Sequence, residues 1–320
     1  MPTPLKVLLG SYPHTRPLKD GTVPVDGVEC RYLESSPLPP AFARMVRELA
    51  YDVCEMPMAT YLQARDAGIP VTLLPVVLVG GTHHRSLTRL PEGPELGPGD
   101  LVGRRVGVRA YGQTTGLWVR GWLREEYGVK SSDVTWVTTE DVHVAQYVNP
   151  PYVERSGAER VADLLRSHDV SAAVLGPKAI GGQGAGLVPL VADAEDAGQA
   201  WIERHGTVPA NHLLVVRDDV LRSRRDDVLA VYKALKKAIA STAGERDGSP
   251  AGRAVRAGWS NSLVACLEIA GQYALEQGLI ARPVDGAAIA EQTAFLDDGV
   301  PVNPHGGDEH REEERRCESR

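Results

Sequence analysis

The sequence has 320 residues, a formal net charge of −7, 42% hydrophobic residues and 24% charged residues. A single domain is usually shorter than this, so we expect two lobes with large cores. The acidic balance argues against a nucleic-acid partner, because contacts to phosphates need clustered Lys and Arg. No apolar run reaches the about 20 residues that a membrane-spanning helix requires, so we expect no membrane partner.

The cysteines and the first residues of the chain indicate a compartment. Cys30, Cys54, Cys266 and Cys317 lie far apart, without the C-x-x-C spacing of metal sites. The apolar run at 7–10 is too short for a secretory signal, whose apolar region has about 7–15 residues. We therefore expect reduced thiols and a cytoplasmic location.

Strand-like and helix-like segments alternate along the chain. Apolar and β-branched runs predict strands at Leu5–Leu9, Gly27–Leu33, Tyr51–Cys54, Val71–Val79, within Asp100–Val108, and at Asp133–Val137, Val170–Leu175 and Leu213–Val216. Helical spacing predicts helices at Pro40–Leu49, Pro57–Asp66, from Gly112–Thr115 onward, and at Gly157–Ser167, Glu195–Arg204, Asp226–Ala243, Leu263–Gln277 and Asp285–Leu296. This alternation predicts an α/β fold with mainly parallel sheets.

The strand–helix pattern restarts after a loop rich in Pro and Gly at Glu92–Gly99. We predict that residues 105–209 form a second lobe, inserted into a first lobe made of residues 1–104 and 210–302. Two chain crossings would then form a hinge beside a central ligand cleft. Residues 303–320 form a charged tail without apolar anchors, and we expect it to be disordered.

A series of segments in this order is specific enough to indicate a family. The segments are Tyr12–Arg16 with Leu18, Gly21, Val23 and Val25–Val28; Tyr51–Met56 with Tyr61; His83–Ser86; Leu101–Tyr111 with Gln113–Thr115 and Trp118–Gly121; Trp136–Thr139; and Gly206–His212. From about Leu5 to Leu296 the chain resembles the 4,5-dihydroxyphthalate decarboxylase family, a branch of the type II periplasmic-binding-protein fold. The resemblance implies the two-lobed architecture with a central cleft and a two-crossing hinge.

Open α/β sheets bind ligands beyond the carboxyl ends of their strands, so the loops at those ends supply the candidate substrate-binding residues. These candidates are Tyr12, Arg16, Arg85, Ser86, Tyr111, Gln113, Thr114, Thr115 and Asn211. Gln113–Thr115 would open a helix whose free N–H groups suit a carboxylate, although Thr114 or Thr115 could simply cap that helix. Arg85 could hold a carboxylate through two hydrogen bonds.

Four residues are candidates for the chemistry itself: His212, His84, His83 and Glu55. His212 precedes an apolar strand at the return crossing, where it could deliver a proton or simply bond to the hinge backbone. Neighbouring side chains of an extended segment point oppositely, so we expect one of His83 and His84 to face the cleft. Glu55 could orient a histidine, bind a substrate hydroxyl, or cap a helix.

The resemblance implies non-oxidative decarboxylation of a hydroxylated aromatic carboxylic acid, a carbon–carbon lyase reaction. Arg85 and the Thr114–Thr115 helix start would anchor the substrate, and His212, His83 or His84 would donate a proton. No organic cofactor is implied. A divalent metal is the minor alternative, since Glu55, His84 and His212 could meet only through tertiary folding. We expect a homodimer only because symmetric dimers are common.

Two other functions use the same residues. A solute-binding or sensor protein would merely hold a small carboxylate in the cleft, and it would show no turnover. Another cofactor-free lyase, resembling the chorismate dehydratases, would give a different product. Product identity and the presence of turnover therefore separate the three alternatives.

Overall fold

The computed structural model of the protein describes residues 3–92, 96–180, 182 and 184–297. The predicted disordered tail at 303–320 lies outside the described residues. The strands are β1 (Leu5–Leu8), β2 (Cys30–Leu33), β3 (Val53–Pro57), β4 (Val71–Gly80), β5 (Leu87–Arg89), β6 (Arg105–Val108), β7 (Thr135–Thr138), β8 (Val153–Arg155), β9 (Ala172–Val174), β10 (Val188–Pro189), β11 (Ala210–Arg217) and β12 (Arg256–Ala257).

Helices follow most of these strands. They are α1 (Arg16–Lys19), α2 (Pro39–Glu48), α3 (Met58–Asp66), α4 (Thr114–Tyr127), α5 (Val161–Arg166), α6 (Pro177–Ile180), α7 (Ala194–His205), α8 (Asp218–Ser223), α9 (Arg225–Ser241), α10 (Pro250–Ala254), α11 (Asn261–Glu276) and α12 (Gly286–Glu291). Short 3₁₀ turns occur at His84–Ser86, Pro98–Leu101, Ser131–Asp133, Ala243–Glu245 and Ala294–Asp297.

The first sheet has the strand order β12-β4-β11-β3-β1-β2. Strands β1, β2 and β3 run parallel, whereas β11 lies antiparallel between β3 and β4. Most side chains of β4 are buried, which explains its nearly continuous apolar sequence. This sheet brings the end of β1, the end of β3 and the start of β11 to one edge.

The second sheet has the strand order β10-β5-β9-β6-β7-β8, and β6, β7, β8 and β9 run parallel. Two sheets joined by two crossings confirm the predicted two-lobed α/β architecture. The sheet change comes earlier than the predicted boundary at residue 105, because β5 already belongs to the second sheet. A strand of three residues is too short to show an apolar period. We therefore propose that the second lobe begins near Leu87 and that the chain returns at Ala210.

Helix α4 connects the two lobes, since it follows β6 of the second sheet and packs against α3 and α11 beside the first. A Cβ atom at Gly121 would lie 2.0 Å from the Tyr273 ring, so only glycine allows α4 and α11 to approach this closely. Arg120 is buried beside it and donates to Gln277 Oε1 (2.8 Å) and to the carbonyl of Tyr111 (2.6 Å). The lobes therefore share a packed joint.

Local details also differ from the sequence-based expectations. The short strands β8, β10 and β12 were not predicted, because two or three residues carry no usable period. His84–Ser86 is a 3₁₀ turn rather than an extended segment, so the predicted alternation of His83 and His84 is wrong, and both histidines are buried. Within the described ranges, no helix combines the length and apolar character needed to cross a membrane.

Candidate active site

Glu55 is the centre of a polar cluster at one edge of the first sheet. Its side chain is fully buried on β3, with 0% exposure. Oε2 accepts a hydrogen bond from the backbone N–H of Gly10 (2.6 Å), and Oε1 accepts one from the Tyr12 hydroxyl (2.7 Å). His212 Nδ1, on the neighbouring strand β11, lies 2.5 Å from the same Oε1. Residues from three strand ends thus converge on one carboxyl group.

The approach of Tyr12 to Glu55 depends on Gly10. A Cβ atom at Gly10 would lie 2.6 Å from atoms of the Tyr12 ring, which covers that position. Burial, followed by the charge and hydrogen bond of Glu55, raises the pKa of the Tyr12 phenol. Tyr12 therefore remains protonated and acts as a hydrogen-bond donor.

The environment keeps Glu55 ionised despite its burial. Burial alone would raise the pKa of this carboxyl group. The hydrogen bond and charge of His212, together with the hydrogen bonds from Tyr12 and Gly10, outweigh burial and lower the pKa below its ordinary value of 4.5. A carboxylate cannot donate a hydrogen, so His212 must carry a proton on Nδ1. This fixes the ring orientation and leaves Nε2 as the nitrogen that can exchange a proton.

His212 is the accessible member of this pair. Its side chain is 23% exposed, against 0% for Glu55. Nε2 forms no hydrogen bond with any described residue. The imidazole ring packs on Phe42 of α2 in a T-shaped arrangement, with ring centroids 5.3 Å apart. The arrangement is a carboxylate-oriented imidazole with one nitrogen available to a ligand.

A second histidine, which the sequence analysis did not select, lies close to this pair. His143 belongs to loop 139–152 after β7, and its ring also packs on Phe42, with centroids 6.1 Å apart. Its Nδ1 lies 2.9 Å from the hydroxyl oxygen of Thr60 on α3. Burial, then the positive charges of Arg109, Arg47 and His212, lowers the pKa of His143 to about 4. No local pattern in the loop could have indicated this position.

The first turn of α4 lies against the first turn of α3. Thr114 Oγ1 accepts a hydrogen bond from the backbone N–H of Ala59 (3.1 Å), and Thr115 is also buried. Gln113 is the N-cap residue of α4, and its Oε1 is buried without a partner in the described part of the chain. The carboxylate-binding site predicted at the start of α4 is therefore partly occupied by a contact between helices.

The segment His83–Ser86 forms a separate cluster. The His83 ring stacks on Trp118 with centroids 6.5 Å apart, and the His84 ring on Trp122 at 4.7 Å. His84 Nε2 lies 3.2 Å from Glu126 Oε2. A cavity lined by these rings, Thr82, Trp201 and Pro209 has room for about one water molecule.

Within the part of the chain that the structure describes, neither His83 nor His84 contacts Glu55 or His212. Burial, with a smaller effect from the charge of His84, lowers the pKa of His83 to about 3, so this ring is neutral near pH 7. Asn211, on β11 beside His212, is buried. Ser86 is buried in the 3₁₀ turn.

Three of the proposed substrate contacts have other surroundings. The Arg85 side chain is 57% exposed and forms an ion pair with Glu195 (2.5 Å). The Tyr111 hydroxyl is used inside the joint between the lobes, where it donates to the carbonyl of Gln277 (2.9 Å). Arg16 is exposed on α1.

The positions of these side chains also bear on the alternative that Glu55, His84 and His212 together bind a divalent metal. Among residues 3–92, 96–180, 182 and 184–297, no group of three or more His, Cys, Asp or Glu side chains could hold a metal ion. Glu55 and His212 pair with each other, whereas His84 pairs with Glu126. The trio considered from the sequence is therefore not assembled.

The fold and this cluster define a two-lobed, periplasmic-binding-protein-like α/β protein with a polar site at the strand ends of its first sheet. The desulfurization enzyme DSZB has a similar structure, with a TM-score of 0.57 and 17% identity over 92% of this chain and 98% of that one. The periplasmic aliphatic sulphonate binding protein SsuA from Escherichia coli has a TM-score of 0.53 and 14% identity over 93% and 86%. At these identities the likeness concerns the fold alone.

Sequence comparison identifies the family. No family model matches the chain. The 4,5-dihydroxyphthalate decarboxylase of Comamonas testosteroni is 31% identical over 252 residues, which cover 74% of this chain and 76% of that protein. The enzyme of the same name from Pseudomonas putida is 38% identical over 135 residues, or 42% and 52% of the two chains. The chain belongs to the 4,5-dihydroxyphthalate decarboxylase family, as the sequence segments predicted.

Proposed function

We propose that this protein is a non-oxidative carboxy-lyase for a hydroxylated aromatic carboxylic acid, with 4,5-dihydroxyphthalate as the first candidate substrate. Family membership supports the reaction class. The observation that carries the mechanism is the imidazole of His212, oriented by Glu55 Oε1 at 2.5 Å and 23% exposed to solvent. Decarboxylation requires a proton donor of this kind.

The proposed reaction exchanges one carboxylate for one proton. The hydroxyl group para to the leaving carboxylate donates electron density to the ring carbon that bears it. Protonated His212 transfers its Nε2 proton to that carbon, and the carbon–carbon bond then breaks. Its electron pair returns to the ring, carbon dioxide leaves, and His212 regains a proton from water.

Glu55 acts through His212 in this scheme. Because Glu55 is buried and ionised, it accepts the hydrogen bond from Nδ1 of His212 and holds the orientation of the imidazole. The adjacent ring of Phe42 offers the leaving carboxylate a less polar surface than water. A carboxylate transferred from water to such a surface loses hydration, which favours loss of carbon dioxide.

The retained carboxylate needs a separate anchor. Arg85 is tied to Glu195 at the surface, so we place the anchor at the start of α4, with Gln113 and Thr115 as its contacts. Tyr12 and His212 both hydrogen-bond to Glu55, so Tyr12 lies near His212. We propose that Tyr12 positions the aromatic ring of the substrate.

The remaining expectations are also part of this proposal. A cytoplasmic location agrees with the free thiols of Cys30, Cys54 and Cys266. The homodimer stays a prediction, which light scattering on the purified protein would decide.

The direct test is incubation of the protein, with and without a chelator, with 4,5-dihydroxyphthalate and a panel of hydroxylated aromatic acids. Carbon dioxide and product mass are measured together. Equimolar carbon dioxide and a product lacking one carboxyl group support the proposal. Thermal stabilisation by these acids without any turnover would instead indicate a binding protein, and a different product would indicate another lyase.

A further inference from the structure

Loop 139–152 reaches from the second sheet to the helices of the first. Arg47 on α2 donates from Nε to the carbonyl of His143 (2.8 Å) and from Nη2 to the carbonyl of Val142 (2.6 Å). Thr60 on α3 contacts the His143 ring at Nδ1 (2.9 Å). Two helices of one lobe therefore fix a histidine that the other lobe supplies.

The hydrogen bond with Thr60 determines which nitrogen of His143 carries the proton. Thr60 is 1% exposed, and its hydroxyl forms no other hydrogen bond with the described residues. A buried hydroxyl donor needs an acceptor, and the lone pair of Nδ1 is the acceptor within reach. Thr60 therefore donates to Nδ1, and the neutral ring carries its hydrogen on Nε2.

The surroundings also keep this ring uncharged near pH 7. The charged and titratable groups that act on it are Arg109, Arg47 and His212, and all three disfavour an imidazolium. Its burial acts in the same direction. The geometry thus holds a neutral imidazole with a fixed Nε2–H.

Phe42 places this donor beside the proposed proton donor. The rings of His143 and His212 both form T-shaped contacts with Phe42, at 6.1 and 5.3 Å between centroids. His212 is paired with a carboxylate, whereas His143 is paired with a hydroxyl. The two imidazoles therefore have environments that suit different roles in one site.

We infer that His143 is a further catalytic residue, which donates its neutral Nε2–H to the phenolic oxygen para to the leaving carboxylate. This inference rests on the proposed function. In this scheme the phenol releases its proton to water when the acid binds, and the ionised oxygen is the group that donates electron density to the ring. A neutral donor favours this ionised form without protonating it, whereas an imidazolium would give up its proton to the oxygen and withdraw electron density from the ring. The contact would also select for acids that carry this hydroxyl group.

Two variants separate the donor from the packing of the ring. His143→Phe keeps an aromatic ring on Phe42 without a donor, and His143→Gln offers an amide N–H near the position of Nε2. His168→Gln is the control, because His168 is exposed and lies outside the site. We expect His143→Phe to lower kcat/KM for 4,5-dihydroxyphthalate by about 100-fold, His143→Gln to lower it less, and the control to match the wild type.

The affinity for phthalate, which lacks the hydroxyl groups, distinguishes contact from structural damage. Phthalate should bind wild type and His143→Phe equally well in calorimetry. Wild-type kcat/KM in His143→Phe would overturn the inference. A loss of phthalate affinity in His143→Phe as large as its loss of kcat/KM would also overturn the inference, since the effect of the substitution would then be structural.

Histidine ¹⁵N spectra test the inference apart from turnover. His143 is assigned by comparison with His143→Gln, and its Nε2 should be protonated near neutral pH and should shift when 4,5-dihydroxyphthalate is added. If the wild type releases no carbon dioxide but this shift appears, the proposed reaction fails while the contact stands. If 4,5-dihydroxyphthalate leaves the His143 signals unchanged, the inference fails even when turnover is present.

Discussion

His212 Nδ1 and Glu55 Oε1 lie 2.5 Å apart, on adjacent antiparallel strands of the first sheet. The buried carboxylate also accepts hydrogen bonds from Tyr12 and Gly10, so its position is fixed from three sides. A fixed acceptor at Nδ1 fixes the direction of Nε2. The proposed chemistry therefore depends on the register between β3 and β11.

Replacement of His212 by Asn tests the proton donor. The Asn side chain keeps an N–H for Glu55 but cannot supply a proton at the position of Nε2. We expect kcat to fall by a factor of about 10² to 10⁴, with little change in thermal stability. Steady-state kinetics and a melting curve measure both quantities. Unchanged kcat in a folded variant would remove His212 from the mechanism.

Replacement of Glu55 by Gln tests the buried acceptor. The amide oxygen can replace only one of the two carboxylate oxygens, and the amide NH2 group, which cannot accept a hydrogen bond, would face a donor at the position of the other. We expect the free energy of unfolding to fall by about 1–3 kcal/mol and kcat to fall as well. Urea denaturation gives the first quantity. Glu195→Gln, at an exposed ion pair, is the matched control and should cost less than about 1 kcal/mol. Equal losses in the two variants would contradict the buried role.

The stability of the protein should depend on His83 at acid pH. The pKa of His83 falls from 6.5 to about 3 on burial, so the unfolded chain binds a proton that the folded chain excludes. Stability is therefore fully present above pH 6.5 and is lost as the pH falls towards 3. His83 contributes up to about 1.4 kcal/mol per pH unit in this window.

His83→Phe should flatten that dependence. The variant keeps a ring beside Trp118 and removes two buried imidazole nitrogens. We expect its stability near neutral pH to equal or exceed that of the wild type, with a smaller loss between pH 6.5 and about 4.5. Denaturation series at several pH values measure the slope. A slope equal to that of the wild type would mean that His83 titrates normally.

The joint between the lobes should depend on Thr114. Thr114→Val removes the acceptor of the buried Ala59 N–H, which should lower the free energy of unfolding by about 1–3 kcal/mol. Thr115→Val is a matched control in the same turn, because the Thr115 hydroxyl makes no hydrogen bond with the described residues. Denaturant unfolding should separate the two variants, and similar values would show that the Thr114 contact contributes nothing specific.

The sequence predicted the larger elements because their patterns are long. The apolar run of β4 and the helical periods of α9 and α11 fix these elements locally. The strands of two or three residues, such as β10, form only because neighbouring strands supply hydrogen-bond partners. The residues of such a short strand do not indicate which strands it will pair with.

The candidate site was predictable only in part. Glu55 and His212 were selected separately by their positions near strand ends, but their pairing follows from strand register, which no local pattern encodes. His143 lies in an irregular loop and comes to Phe42 through tertiary packing. Arg85 was selected for its chemistry, yet the direction of a side chain in a turn depends on its neighbours, here Glu195.

The most direct test of the central claim is turnover of 4,5-dihydroxyphthalate in deuterium oxide, followed by product NMR and carbon dioxide measurement. The account predicts equimolar carbon dioxide and 3,4-dihydroxybenzoate with deuterium at the ring carbon that lost its carboxylate. The His212→Asn protein should form this product far more slowly. Recovery of unchanged 4,5-dihydroxyphthalate after incubation with the wild-type protein would contradict the account, and so would a product that retains both carboxylates.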